Sequence, residues 1–143
     1  MYEKLTEYLP KFEGLEYGRW IYDHENDGTL EHPIRMPFVN YHSAVTDFME
    51  AVYKFVNEHP ELNLTEYQEI LNVRGISWGI ESMKNADASS LDGQTVMALI
   101  LGAIRADRFS EGTLLVFFKD GFISQWLFRL KEIDEESEGD HSK

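Results

Sequence analysis

The spacing of apolar residues predicts that most of this chain is helical. The clearest segment, residues 42–58, has apolar side chains at the three- and four-residue intervals that share one helix face: Val45, Phe48, Met49, Val52, Phe55 and Val56. Pro60 follows where such a helix must end. A later segment, capped by Ser90 or Asp92, has a face so broad that we expect it to be the central helix: Val96, Leu99, Ile100, Ala103 and Ile104.

Two other segments show the same periodicity. Residues 2–12 carry Leu5, Tyr8, Leu9 and Phe12 at helical spacing, and Gly14 is a plausible stop. Farther along, Asn63 and Glu66 resemble a capping box, in which each side chain bonds the backbone amide of the other residue. Gly75 would end that helix. A weaker helical turn is expected near residues 80–83.

Residues 16–41 break the helical pattern, because glycine and proline recur and Asn26-Asp27-Gly28 is a turn signal. Residues 17–22 (YGRWIY) and 34–39 (IRMPFV) can form two short extended segments around that turn. Pro37 would restrict the second to an edge or an irregular strand. The alternative is a long aromatic loop packed on a helical body.

The apolar run at residues 114–118 suits a buried helix or a strand equally well. The following segment is helical in spacing, so we predict two short helices over residues 111–133, joined at Gly121. Ser110 is expected to cap the first of them, with Glu111 in its first turn near the favourable end of the helix dipole. Residues 134–143 are acidic, and we expect them to form a disordered tail.

These elements predict one compact, mainly α-helical domain at residues 1–133. It would contain about five to six helices, with an aromatic loop or a short irregular β-hairpin near residues 17–41. At 143 residues, with 43% apolar and 13% aromatic residues, the chain can build a core without a disulfide or a metal.

The net charge of −13 and the absence of cysteine narrow the classes of function. Without cysteine there is no zinc ribbon, thiol nucleophile or disulfide. A field of this sign repels phosphate backbones and anionic membrane surfaces, so we expect no nucleic-acid and no membrane partner. The chain shows no secretory signal and no spanning segment, and we expect a cytoplasmic protein.

The C-terminal half resembles a known family. Residues 103–112 (AIRADRFSEG), followed by Asp120-Gly121 and by residues 127–130 (LFRL), are similar to the signature R-G-E-R-F-x-x-G, D-G and L-x-R-L. That signature is typical of an uncharacterised bacterial domain of unknown function. The resemblance covers about residues 67–133, with Ala106 and Asp107 where the family has glycine and glutamate. It implies a mainly helical fold and no particular activity.

The first candidate site is the junction at residues 104–112. Arg105 and Arg108 lie three residues apart, and Arg129 could return to them if the last two helices form an antiparallel pair. Guanidinium groups at that spacing suit a carboxylate or phosphate ligand. The simpler interpretation, which we favour, is an internal ion-pair network in which Asp107 and Glu111 bridge the arginines.

The second candidate site is the aromatic segment, where Trp20 and Tyr41 could line a pocket or a groove for a partner. Aromatic side chains that only fix the loop to the core are the simpler interpretation. His24 and His32 lie near acidic residues in this segment, but their spacing matches no metal-binding motif. We therefore predict no metal site and no cofactor.

No phosphate-binding loop, dinucleotide fingerprint or nucleophile elbow occurs in the chain. We therefore favour a non-enzymatic module that binds another protein or itself. One alternative is an enzyme or binder acting on a small anionic ligand at Arg105, Arg108 and Arg129. Another is an acidic protein that imitates DNA, because the chain carries 26 acidic and 13 basic residues.

Overall fold

In the computed structural model, residues 1–22, 28–30 and 36–141 are described, with side chains through residue 137. The order is helix α1 (Glu3–Thr6), α2 (Leu9–Phe12), strand β1 (Gly18–Ile21), β2 (Phe38–Tyr41), and then helices α3 (Ser43–Glu58), α4 (Tyr67–Val73), α5 (Ile80–Asn85), α6 (Gly93–Ala106), α7 (Thr113–Lys119) and α8 (Phe122–His141). The described part is mainly helical, and its five helices of seven residues or more agree with the five to six expected.

The centre of the fold is α6, as its broad apolar face predicted. Every residue from Thr95 to Ile104 is buried, and α4, α7 and α8 pack around the helix. Asp92 is its N-cap, with Oδ1 accepting a hydrogen bond from the Thr95 amide at 2.9 Å. This carboxylate satisfies an amide that would otherwise lack a partner in the first turn.

The N-terminal segment forms two single-turn helices where one continuous helix was expected. Pro10 explains the break, because it has no amide hydrogen to donate to the carbonyl of Thr6. Leu5 and Phe12 still point into the core, so the predicted apolar face is kept.

Helix α3 lies where it was predicted, with Val45, Phe48, Val52 and Phe55 buried. The capping box predicted after it is wrong. Asn63 has left-handed backbone angles between two short 3-10 turns, Pro60–Leu62 and Leu64–Glu66, and its side chain caps neither.

The left-handed conformation at Asn63 reverses the chain direction, whereas a capping box needs an extended residue at that point.

The end of α4 is as expected. Gly75 has a φ of +75°, and the Ile76 amide bonds the Leu71 carbonyl at 3.0 Å.

The aromatic segment forms a two-stranded antiparallel sheet, which agrees with the two extended segments predicted there and not with the alternative of a long loop. Trp20 pairs with Val39, and Gly18 pairs with Tyr41. Pro37 lies just before β2 and therefore takes no place in the ladder. Asn26 and Asp27 of the predicted turn lie outside the described residues, as do His24 and His32.

Before the sheet, Tyr17 fixes the chain to the core. Its ring lies 4.9 Å from that of Phe118, and its hydroxyl donates to the Phe12 carbonyl at 3.1 Å. This contact agrees with the simpler interpretation that aromatic residues anchor this segment.

The two C-terminal helices are joined at Gly121, as predicted, but α8 does not end at Ile133. The Asp134 carboxylate accepts a hydrogen bond from the Tyr2 amide at 2.8 Å, which ties α8 to the start of the chain. Asp134, assigned to the tail by its acidic surroundings, therefore belongs to the folded body. None of the described helices combines the length and apolar character that a membrane span requires.

Candidate functional site

Asp107 organises the corner between α6 and α7. Its Oδ1 atom accepts three hydrogen bonds: from the Tyr41 hydroxyl at 2.8 Å, the Gly112 amide at 3.0 Å and the Leu114 amide at 3.1 Å. Two of these donors belong to the start of α7. A negative charge there also interacts favourably with the helix dipole.

The predicted cap, Ser110, does not perform this role. Helix α7 begins at Thr113, with Gly112 at the N-cap position in a left-handed conformation with a φ of +90°. Ser110 instead supplies its backbone carbonyl, which accepts from the Thr113 hydroxyl at 2.7 Å. The cap therefore comes from the end of the preceding helix.

Tyr41 joins the sheet to the same corner. Its hydroxyl donates to Asp107 and accepts a hydrogen bond from the Leu115 amide at 3.1 Å. Burial, and then the adjacent Asp107 carboxylate, raise the pKa of the Tyr41 hydroxyl well above its usual value. Tyr41 is therefore a neutral donor at any physiological pH, which suits a structural contact.

Glu111 also differs from its prediction. Its Oε1 atom accepts a hydrogen bond from the Val39 amide at 2.7 Å, on β2. An edge strand has amides without ladder partners, and this carboxylate covers one of them. Glu111 therefore holds the sheet to the corner and does not cap α7.

Trp20 packs against this corner as well. A β-carbon added at Gly112 would lie 2.3 Å from Cζ2 of Trp20, so only glycine allows this approach of the indole. The Trp20 side chain remains 37% exposed at the rim of the contact.

Arg105 and Arg108 border an open cleft beside this corner. The cleft has a volume of about 570 Å³, and its walls come from α3, from the end of α6 and from the junction: Met49, Tyr53, Ile104, Arg105, Asp107, Arg108 and Glu111. No ion pair joins either arginine to a carboxylate in the described part of the chain.

The ion-pair network predicted for the junction at residues 104–112 is therefore wrong. Oδ1 of Asp107 accepts hydrogen bonds from the Tyr41 hydroxyl and the Gly112 amide, and Oε1 of Glu111 accepts one from the Val39 amide. The contacts with Tyr41 and Val39 direct both carboxylates toward the sheet.

Arg105 lies next to two tyrosine hydroxyls. Tyr53, and after it Tyr67, raise the pKa of the Arg105 guanidinium above its usual value. A second, smaller cleft of about 240 Å³ opens on this side, bordered by Tyr53, Tyr67 and Arg105 among others. Arg105 is thus a wall of both clefts.

Arg129 does not join the other two arginines. Its Nε donates to the Leu91 carbonyl at 3.1 Å, and its guanidinium lies 3.5 Å from Glu136. Leu91 precedes α6, whereas the corner follows it, and the 14 residues of α6 span about 20 Å. Arg129 is therefore a structural contact between α8 and the segment before α6.

The sequence interpretation missed Tyr53. Its position four residues after Met49 places both on the α3 face that borders the cleft. An aromatic residue with a polar tip beside an apolar stripe was the available signal. Across the described residues, no three histidine or acidic side chains come together as a metal site would require.

Comparison with known proteins identifies the family and nothing beyond it. A family model described as "Family of unknown function (DUF6508)" matches residues 2–136, which includes α1 and almost all of the helical body. No curated protein and no solved structure matches the chain. The match is wider than the C-terminal resemblance noted from the sequence, and the chain belongs to the DUF6508 family of unknown function.

Proposed function

We propose that this protein is a non-enzymatic binding module that holds the carboxylate or phosphate group of a small ligand against Arg105 and Arg108. The observation that supports the proposal is the state of these two side chains. Acidic residues outnumber basic ones by 26 to 13, yet neither guanidinium is paired with a carboxylate of the described residues, and both border one cleft.

The arrangement of the two arginines suits an anionic group. The Arg108 amide bonds the Arg105 carbonyl at 3.2 Å, so the two residues lie one turn apart and border the same space. Guanidinium groups bind planar carboxylates and phosphates with paired hydrogen bonds. Tyr53 adds a hydroxyl beside Arg105 at the border of the same cleft.

A purely structural explanation competes with this proposal. Arg105 lies in the last turn of α6, where a cation interacts favourably with the helix dipole without any ligand. The two explanations differ in what happens when an anion is added, because only a binding site responds to it.

The experiment is a titration of the full chain with sodium phosphate and with sodium acetate, followed by the side-chain NMR signals of the arginines. We expect the Arg105 and Arg108 signals to shift with saturation in the millimolar range. The variant Arg105→Gln/Arg108→Gln should lose the response of the remaining protein signals near the cleft.

The variant Arg19→Gln is the matched control, because Arg19 is an exposed arginine that pairs with Glu16 and does not line the cleft. An equal response from Arg19, or none from Arg105 and Arg108, would contradict the proposal.

A second candidate is a protein-binding or self-associating surface on the hairpin. The rings of Trp20 and Tyr22 are stacked with centroids 6.3 Å apart, and Phe38 is 48% exposed. Light scattering on Phe38→Ser tests it, with Phe128→Ser as a control at an exposed phenylalanine on α8. If the protein is monomeric at all concentrations, the result contradicts self-association.

The DNA-mimic alternative has less support. Asp134 is hydrogen-bonded to Tyr2, and Glu132 and Glu136 lie beside Arg129, so these acids of α8 make internal contacts. The proposal keeps the cytoplasmic location expected from the sequence.

A further inference from the structure

The second cleft adjoins the first one. Tyr53 and Arg105 line both, so these two side chains form the boundary that the clefts share. The remaining walls of the second cleft come from α3, from the turn before α4 and from α6: Val56, Asn57, Thr65, Tyr67 and Leu101.

The size of the second cleft makes it a subsite. Pockets that enclose a drug-sized ligand have volumes of about 300–1,000 Å³. The second cleft has about 240 Å³, below that range, whereas the first has about 570 Å³, within it. Part of one ligand fits the smaller space better than a whole second ligand does.

The walls of the two clefts differ in chemistry. The first has two guanidinium groups that pair with no carboxylate among the described residues, and its two acids, Asp107 and Glu111, hydrogen-bond the sheet. In the second, Leu101 and Tyr67 are buried and Val56 is half-buried. Its other residues are uncharged, and Arg105 is the only charged residue at its border among those the structure describes. A ligand that fits both therefore has an anionic end and an apolar body.

We propose that the ligand is an elongated molecule with one anionic group, with its carboxylate or phosphate at Arg105 and Arg108 and its apolar chain extended past Tyr53 into the second cleft. This inference rests on the proposed function, because it needs an anion at the two arginines. It adds the prediction that affinity depends on chain length.

The test compares short and long ligands of the same charge by isothermal titration calorimetry: acetate with hexanoate, and methyl phosphate with hexyl phosphate. Each methylene that leaves water raises affinity by about fourfold at full burial. We therefore expect the longer member to bind at least tenfold more tightly. The stronger pair shows whether carboxylate or phosphate is the preferred anionic group.

Two variants test whether the apolar chain of the ligand lies in the second cleft. Asn57→Trp and Thr65→Trp each fill the second cleft from an exposed position on a different wall. Both should remove the advantage of the long ligand and leave acetate binding unchanged. Glu50→Trp is the control, because Glu50 is an exposed residue of α3 that borders neither cleft.

The outcomes separate this inference from the proposed function. Binding of acetate or methyl phosphate with no gain for the longer ligands would overturn the inference and leave the proposed function standing. A gain that persists in both tryptophan variants would also overturn it. If no anion binds at all, the proposed function fails, and the inference fails with it.

Discussion

The Tyr41 hydroxyl donates to Oδ1 of Asp107 at 2.8 Å and so connects two parts of the chain that are 66 residues apart. The same hydroxyl accepts from the Leu115 amide, and the same carboxylate oxygen accepts from the Gly112 and Leu114 amides. One oxygen–oxygen contact thus links the hairpin to the end of α6 and to the start of α7.

Replacement of Tyr41 by phenylalanine should destabilise the protein by about 1–3 kcal/mol. It removes a donor to Asp107 and an acceptor for the Leu115 amide, and a buried polar group that loses its partner carries a desolvation penalty of this size. Urea unfolding measures the change. Tyr8→Phe is the control, and an equal loss there would show that the hydrogen bonds are not the cause.

Replacement of Asp107 by alanine should cost about 2–3 kcal/mol, because three donors lose their shared acceptor. Arg108→Ala at the neighbouring position should change stability by no more than about 0.5 kcal/mol, since Arg108 is exposed and pairs with no carboxylate in the described part. Thermal unfolding of both variants measures the two losses of stability. A larger loss for Arg108→Ala would mean that the arginine is structural.

Replacement of Gly112 by alanine should destabilise the protein for two reasons that can be separated. The left-handed backbone costs about 1–2 kcal/mol for a residue with a β-carbon. The new carbon would also lie 2.3 Å from Trp20. Gly75→Ala isolates the first cost, because Gly75 has a φ of +75° and nothing within 4 Å of an added β-carbon.

Gly112→Ala should therefore cost at least 1 kcal/mol more than Gly75→Ala in urea unfolding. The losses of stability in the single variants Gly112→Ala and Trp20→Ala should add up to more than the loss in the double variant, because removal of the indole relieves the clash. Strict additivity would show that the two residues are not in contact.

Stability should fall as the pH rises above about 10. Burial, and then the charges of Asp134 and Asp92, raise the pKa of Tyr2 to about 12 in the folded state, from 10.0 in the unfolded chain. Between these two values the unfolded state binds fewer protons than the folded state, so the free energy of unfolding decreases with pH.

Tyr2 can lower the free energy of unfolding by at most about 3 kcal/mol, because each pH unit between the two pKa values contributes about 1.4 kcal/mol. Urea unfolding from pH 9 to pH 12 measures the slope, and Tyr2→Phe should reduce it. An unchanged slope in Tyr2→Phe would assign the effect to other groups, of which Tyr41 is the first candidate.

Local patterns predicted the helices well, because each apolar stripe is a property of consecutive residues. The positions of α3 and α6 and the Asp92 cap depend on residues within one or two turns. The same rules chose Ser110 as the cap of α7. They could not find Asp107, because Tyr41 fixes its orientation from a distant strand.

The candidate site was predicted only in part. Arg105, Asp107, Arg108 and Glu111 do border one cleft, and their closeness in sequence is enough to bring them together there. The sequence did not indicate which face of α8 carries Arg129, and that face points toward Leu91. Nor did it indicate that the two carboxylates would bond the hairpin in place of the arginines.

The double attachment of Asp107 and Glu111 has a thermodynamic consequence. Each carboxylate borders the cleft and also holds one residue of the hairpin, Tyr41 or Val39. Any molecule whose binding reorients either side chain must change the free energy of hairpin opening. By reciprocity, a molecule that binds the hairpin and strains these two hydrogen bonds must change affinity in the cleft by the same factor.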